Sequence, residues 1–212
     1  MPFSLADMLA RIPALLIALS FHEYAHARMA YAWGDPTAKY EGRLTLNPLA
    51  HLDPMGLLML LVVRFGWAKP VPINPFYFKD RRKGLFWVSL AGPGMNLLLG
   101  LVATFLWVLI RGSGYFIVDN ILYYLVIYNV FLAIFNIIPL PPLDGSKILS
   151  SLLPTHLLYY YQAIEPYGPF LLIFLLFFGR LPYLLVPVAN AIINLYTTLV
   201  LFLVKPLLPL FF

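Results

Sequence analysis

The chain has 212 residues, of which 62% are hydrophobic and 11% are charged. Soluble domains have about 45–50% apolar and about 25% charged residues, so this composition excludes an ordinary soluble domain. There is no cysteine, which excludes disulfides and leaves His, Asp and Glu as the metal ligands. The net charge of +5 is concentrated beside apolar runs, which indicates membrane anchoring and excludes nucleic acid as an expected partner.

The first apolar run extends from about Phe3 to Trp33 and is stopped by G-D-P at 34–36. We do not expect it to be a cleavable signal, because it contains ionisable residues and no small-residue cleavage site follows a short apolar core. The polar segment 37–46, T-A-K-Y-E-G-R-L-T-L, partly alternates. That pattern predicts a short β hairpin or edge strand with its turn at E-G, residues 41–42.

The second run, Met55–Trp67, would reach only about 20 Å as a helix, which is shorter than the ~30 Å hydrocarbon core and favours a re-entrant segment. Four longer apolar runs follow: Gly84–Ile110, Ile117–Leu140, Leu157–Phe178 and Leu181–Phe212. The sequence predicts an all-α polytopic membrane protein with about five full spans, one re-entrant segment and a small β hairpin. We expect a single membrane-embedded domain, 1–212, with a catalytic core at about 1–150 and C-terminal spans at 157–212.

Lysine and arginine residues predict the orientation of these runs. Basic residues lie near the inner end of the first run or after it, and others precede the third run, so both regions are expected on the cytoplasmic side. They are Arg28, Lys39, Arg43, Lys69, Lys79, Arg81, Arg82 and Lys83. Both regions can lie on one side only if Met55–Trp67 enters and leaves the membrane there. The run Ile117–Leu140 then returns to the cytoplasmic side.

Residues 22–26 read H-E-Y-A-H within the first run. Positions i and i+4 share one face of a helix, so His22 and His26 can bind one zinc ion. Glu23 can then take a proton from water and pass it to a leaving amine. The alternative is a buried polar cluster whose members satisfy one another. Ionisable groups within a span cost about 2.5–3.5 kcal/mol each on insertion scales and indicate function, which favours the zinc site.

A catalytic zinc site uses three protein ligands and one water, so a third ligand is needed. Asp144 follows N-I-I-P-L-P-P-L, where three prolines must interrupt the helix. The orientation puts Asp144 on the same side as the histidine pair, whereas His51 and His156 lie outside the apolar runs. We therefore predict Asp144 as the third ligand of a site for one Zn²⁺ per chain. The alternative for Asp144 is an aspartate in an interfacial turn.

Two asparagines are candidates for substrate or oxyanion contacts. Asn96 follows G-P-G at 92–94, where glycine permits close helix approach. A packing hydrogen bond and a substrate contact explain Asn96 equally well. Asn136 lies before the proline break, where it can contact substrate or cap freed backbone groups. The segment 37–46 can likewise offer a strand edge to an unwound substrate or be an ordinary surface hairpin.

Five motifs carry a family resemblance: H-E-Y-A-H at 22–26, A-G-P-G-M-N at 91–96, N-I-I-P-L-P-P-L-D-G at 136–145, T-L-N-P-L-A-H-L-D-P at 45–54 and N-P-F-Y-F at 74–78. Together they resemble the site-2 proteases, a family of intramembrane zinc metalloproteases, in its compact bacterial and archaeal form without a PDZ or CBS domain. The resemblance implies that zinc is held by His22, His26 and Asp144. It also implies that Glu23 is the general base and that Asn136 and Asn96 lie near the site.

We therefore expect a multi-pass protein of the cell membrane that hydrolyses peptide bonds within or near transmembrane segments of membrane-anchored substrates. Its active site is expected toward the cytoplasmic side. The alternative is a metal-binding membrane transporter or a non-proteolytic scaffold. A transporter often has a broken helix in each of two repeated halves, but one such break is visible here. A scaffold is expected to have lost its acid–base residue, but Glu23 is present.

Overall fold

The computed structural model describes residues 5–56, 68–111 and 114–204. The α-helices with both ends in these ranges are α1 (Leu5–Ala32), α2 (Thr37–Tyr40), α3 (Pro48–His51), α4 (Arg81–Ile110), α5 (Phe116–Ile137), α6 (Asp144–Leu152), α7 (Thr155–Ile164), α8 (Gly168–Phe177) and α9 (Arg180–Val204). Short 3₁₀ helices lie at Pro75–Tyr77 and Glu165–Tyr167. The protein is therefore mostly helical, as predicted.

The long helices coincide with predicted apolar runs. Within the described ranges, three stretches are long and apolar enough to cross a membrane: Arg81–Ile110, Phe116–Ile137 and Tyr183–Val204. A helix of 22 residues extends about 33 Å, which is enough for a hydrocarbon core of ~30 Å. The chain is thus a multi-pass helical membrane protein.

The predicted β hairpin at 37–46 is wrong. Residues Thr37–Tyr40 form α2, and no strand occurs in residues 5–56, 68–111 or 114–204, where one isolated bridge pairs Leu52 with Ala68. Asp35 explains the helical turn, because its Oδ1 accepts hydrogen bonds from the amide of Thr37 (3.0 Å) and from the Thr37 hydroxyl (2.5 Å). The strand edge expected for substrate is therefore not formed by this segment.

The run Leu157–Phe178 is not one continuous α-helix. Helices α7 and α8 have ten residues each and are separated by the 3₁₀ helix Glu165–Tyr167. Pro166 and Pro169 have no amide hydrogen, so both interrupt the backbone ladder of an α-helix. The predicted re-entrant segment Met55–Trp67 lies, from residue 57 onward, outside the described residues.

One compact unit consists of Met1–Ala18, Asn96–Phe135 and Phe174–Phe212 and is called the first unit below. Its buried core contains Ala14, Ala18, Ala103, Leu125 and Val126. The three alanines allow the helix backbones to approach closely, which is how helices pack in a membrane, where burying apolar surface gives little driving force. The first unit therefore has the small-residue core that its membrane setting requires.

The other compact unit consists of Leu19–Met95 and Asn136–Ile173 and is called the second unit. It has two small cores, the first built from Ala27, Ala38 and Val71 and the second from Ala30, Phe78 and Val88. Both cores pack the second half of α1 against segments that follow it in the chain. His22, Glu23, His26 and Asp144 all belong to this unit.

Candidate metal centre

Three predicted ligand atoms converge in the second unit. The Nε2 atoms of His22 and His26 are 3.0 Å apart, and Oδ2 of Asp144 lies 3.2 Å from the first and 3.1 Å from the second. Zinc binds such atoms at about 2.0–2.2 Å in tetrahedral geometry, which places neighbouring ligand atoms about 3.3 Å apart. The observed triangle fits that spacing. These three residues are the metal-ligating group found in the described part of the chain.

The helix α1 and its packing fix the two histidines. Their four-residue spacing puts both rings on one face, and each residue is only 5% exposed. The Nδ1–H of His26 donates a hydrogen bond of 2.7 Å to the carbonyl oxygen of Val88 in α4. With its proton on Nδ1, the neutral ring presents the Nε2 lone pair toward the other two ligand atoms, as a metal ligand must.

Gly92 in α4 lies directly against the histidine pair. A Cβ atom at this position would overlap Nε2 of His26 and would lie 2.6 Å from Cε1 of His22. From the sequence, the glycines at 92 and 94 are both expected to permit close helix approach. For Gly92 the neighbour is the pair of ligand rings themselves, whereas a Cβ at Gly94 would meet nothing within 4 Å. The absence of a side chain at Gly92 therefore leaves space for the two imidazole rings of the candidate metal site.

The helix is interrupted before Asp144, as the prolines in the sequence predicted. Helix α5 ends at Ile137, and α6 begins at Asp144. A Cβ at Gly145 would overlap the carbonyl oxygens of Ile137 and Ile138. Gly145 is therefore needed because α6 starts against the end of α5, and not only because glycine turns easily.

The charge of Asp144 is stabilised by its neighbours. Burial alone would raise the pKa of the Asp144 carboxyl group. When His26 also carries a proton on Nε2, its charge and the hydrogen bonds to Oδ2 from the two imidazoles outweigh burial and hold this pKa well below the usual range of aspartate. The neutral form of His26 described above instead leaves Oδ2 to a metal ion. Asp144 is consequently a carboxylate, which is the form that binds metal ions.

Glu23 is buried beside the ligands and bound to backbone. Glu23 is 8% exposed, and its Oε2 accepts a hydrogen bond of 3.0 Å from the amide of Val71. Among the described residues no hydrogen bond to Oε1 is formed, so this oxygen can accept a proton. The sequence does not reveal the contact with Val71, because 48 residues separate it from Glu23 and no periodic pattern connects them.

The two candidate asparagines have different surroundings. Asn96 belongs to the first unit, is fully buried, and donates through Nδ2 to the carbonyl of Ala18 (3.1 Å) and to Oδ1 of Asn129 (2.7 Å). Asn136 belongs to the second unit and is partly buried near the end of α5. Of these two asparagines, only Asn136 is therefore in the unit that contains the three candidate metal ligands.

The site and fold define a class of protein. Two histidines and one carboxylate are a ligand set of catalytic zinc, and a buried carboxylate stands next to one of the ligands in sequence. These groups lie in a helical protein with membrane-spanning helices. Together they define a membrane-embedded, metal-dependent hydrolase.

Comparisons with known proteins agree with this class. The model of Peptidase family M50 matches residues 113–176. YwhC of Bacillus subtilis (strain 168), named as an inferred zinc metalloprotease, is 41% identical over 198 residues, which are 90% of this chain and 89% of YwhC. MJ0611 of Methanocaldococcus jannaschii and Rip2 of Mycobacterium tuberculosis (strain H37Rv) are also named as inferred zinc metalloproteases. They are 32% and 30% identical to this chain, respectively.

The MJ0611 alignment covers 69% of this chain and 72% of that relative, and the Rip2 alignment covers 78% and 64%. No solved structure matches this chain. The likeness to YwhC extends over nearly the whole of both proteins. The chain therefore belongs to peptidase family M50, the family of the site-2 proteases.

Proposed function

We propose that this protein is an intramembrane zinc metalloprotease that hydrolyses peptide bonds within or near transmembrane segments of membrane-anchored proteins. The observation that carries the proposal is the convergence of three ligand atoms within 3.2 Å in the unit that also contains Glu23. Membership of a peptidase family and the names of the relatives support the same chemistry.

We assign zinc binding to His22, His26 and Asp144. Zinc bound there would supply Lewis-acid chemistry, which acidifies water and polarises the carbonyl of the scissile bond. Glu23 is the catalytic residue that moves the proton. Its Oε2 is fixed by the amide of Val71, so its Oε1 can take the proton from water and return it to the leaving amine.

The substrate must present an extended or locally unwound segment, because a closed helix hides its carbonyl groups. The broken chain before Asp144 supports this assignment, since irregular backbone at membrane depth is tolerated where it is buried or lines a cavity. We propose a contact between Asn136 and substrate. For Asn96 we favour the packing role, because both hydrogens of its Nδ2 already meet acceptors.

The active site is proposed to face the cytoplasm. The basic residues around α2 and before α4 support this orientation, which requires Met55–Trp67 to be re-entrant. Since the chain has no cysteine, single cysteines at Lys69 and Arg82 can be labelled cleanly in intact cells or oriented vesicles. We expect both to react from the cytoplasmic side. Labelling from outside would refute the orientation.

The direct test of the function compares the purified protein with its Glu23→Gln variant on a single-span protein substrate in detergent or liposomes. We expect the original protein to cleave and the variant to be slower by about 10²–10⁴-fold, because general acid–base catalysis contributes about that much. Zinc content should be equal in both, since Glu23 is not one of the three ligands. Loaded protein that cleaves nothing would instead support a transporter or scaffold, and full activity of Glu23→Gln would refute the role of Glu23.

A further inference from the structure

The segment Lys69–Pro75, called the 69–75 loop, presents its backbone to Glu23. Its sequence is K-P-V-P-I-N-P, and proline has no amide hydrogen. Between residues 70 and 75 only Val71, Ile73 and Asn74 can therefore donate a backbone hydrogen bond. Val71 donates to Oε2 of Glu23 at 3.0 Å, and Asn74 donates to Oδ2 of Asp35 at 2.6 Å. Two of the three donors thus end on carboxylates.

Asp35 is built into the protein interior. It is 0% exposed, and in the part of the chain that the structure describes no Lys or Arg forms an ion pair with it. A buried carboxylate is costly unless hydrogen bonds compensate its lost hydration. Oδ1 accepts two bonds from Thr37, and Oδ2 accepts the bond from Asn74. Asp35 therefore links α2 to the 69–75 loop through its two oxygens.

The loop is held at its other end as well. Arg43, which is also buried, donates through a guanidinium nitrogen to the carbonyl oxygen of Lys69 at 2.5 Å. The amide of Lys69 donates to the carbonyl of His51 at 2.9 Å. The prolines at 70 and 72 fix φ on either side of Val71. With both ends fixed and a stiff backbone between them, the direction of the Val71 amide is determined.

We propose that Asp35 is a positioning residue for peptide hydrolysis: by binding the amide of Asn74 it fixes the 69–75 loop so that the amide of Val71 holds the Glu23 carboxylate. This inference rests on the proposed role of Glu23 as general base. A general base must lie within about 2.6–3.2 Å of the group whose proton it takes, and a misplacement of about 1 Å can cost about 10²-fold in rate. Within residues 5–56, 68–111 and 114–204, Asp35 forms no hydrogen bond or ion pair with His22, His26 or Asp144.

The test combines hydrogen exchange with kinetics. Mass spectrometry of the peptide Lys69–Pro75 reports the exchange of three amides, those of Val71, Ile73 and Asn74, because the first residue of the peptide and its prolines contribute none. In Asp35→Ala we expect faster exchange at the loop, by about tenfold or more, since the bonds of Asn74 and Val71 open more often. We expect kcat to fall by about 10–100-fold with KM changed by less than about threefold, and zinc content to stay at that of the original protein.

Two further variants keep the test decisive. Thr37→Val removes one bond of Asp35 but leaves the bond to the 69–75 loop, so exchange and kcat should match the original protein. Asp35→Asn keeps the side-chain volume and one acceptor oxygen, so it should lie between the original protein and Asp35→Ala in both loop exchange and kcat. Asp35→Asn also tests the inference if Asp35→Ala does not fold.

Several outcomes would overturn the inference. One is a kcat equal to that of the original protein although amide exchange at the 69–75 loop is faster. Another is unchanged amide exchange at this loop in both Asp35→Ala and Asp35→Asn. A third is a loss of zinc content together with the loss of activity. The proposed function fails separately, namely when the zinc-loaded original protein cleaves nothing, and the proposed role of Glu23 fails when Glu23→Gln is fully active. If Glu23→Gln is inactive while Asp35→Asn and Asp35→Ala remain active, only the positioning role of Asp35 is refuted.

Discussion

Two buried polar clusters, one in each unit, show different ways to place polar groups in apolar helices. In the first unit the Nδ2 hydrogens of Asn96 meet two oxygen acceptors, and Nδ2 of Asn129 meets the carbonyl of Leu125. In the second unit Nε2 atoms of two histidines and a carboxylate oxygen converge instead. A polar residue in a membrane helix is therefore not by itself a sign of function. Convergence of metal-ligating atoms is the feature that distinguishes the second cluster.

Of the substitutions that test this difference between the two clusters, Gly92→Ala is expected to have the largest effect, a loss of zinc affinity. The added methyl group would overlap Nε2 of His26, so the ring must move out of the ligand triangle. We expect zinc affinity, measured by competition with a chelator, to fall by about 100-fold or more, with a similar loss of cleavage.

Gly94→Ala is the matched control, because it makes the same change two residues away in the same helix. A Cβ at Gly94 meets nothing within 4 Å, so zinc affinity and cleavage should remain those of the original protein. Equal zinc affinities of Gly92→Ala and Gly94→Ala would contradict the position assigned to the histidine pair.

A smaller effect of a different kind is expected from Asn129→Ala. The change removes the acceptor of one Asn96 hydrogen and should lower the free energy of unfolding by about 1 kcal/mol, as is usual for hydrogen bonds between membrane helices. Zinc affinity should not change, because the pair is not a ligand set. If Asn129→Ala lowered the zinc affinity and left the free energy of unfolding unchanged, the asparagine pair could no longer be distinguished from the metal-ligating group.

The sequence predicted the convergence of the three candidate ligands because the position of each depends on a local rule. The H-E-Y-A-H spacing puts two histidines on one helix face, and the prolines before Asp144 end α5 where the break was expected. The hairpin prediction failed because partial alternation at 37–46 is a weaker determinant than the bonds from Asp35 that start α2. The break between α7 and α8 had a visible signal, E-P-Y-G-P at 165–169, which the continuous hydropathy of the run concealed.

The support of Glu23 could not be predicted in the same way. Val71 and Asn74 act through backbone amides in irregular structure, so their side-chain identities say nothing about the bonds that they form. In the sequence Asp35 belongs to the stop signal G-D-P, whereas the fold makes it one of the most buried charged residues in the described part of the chain. Such contacts join segments 39 and 48 residues apart and follow from the tertiary fold alone.

X-ray absorption spectroscopy of zinc-loaded protein tests the central claim most directly, namely that His22, His26 and Asp144 hold the metal. We predict two imidazole nitrogens at about 2.0–2.1 Å and oxygen ligands at about 2.0–2.2 Å, with one imidazole lost in His26→Ala. A spectrum with no imidazole ligands, or one that His26→Ala leaves unchanged at equal zinc content, would contradict the account.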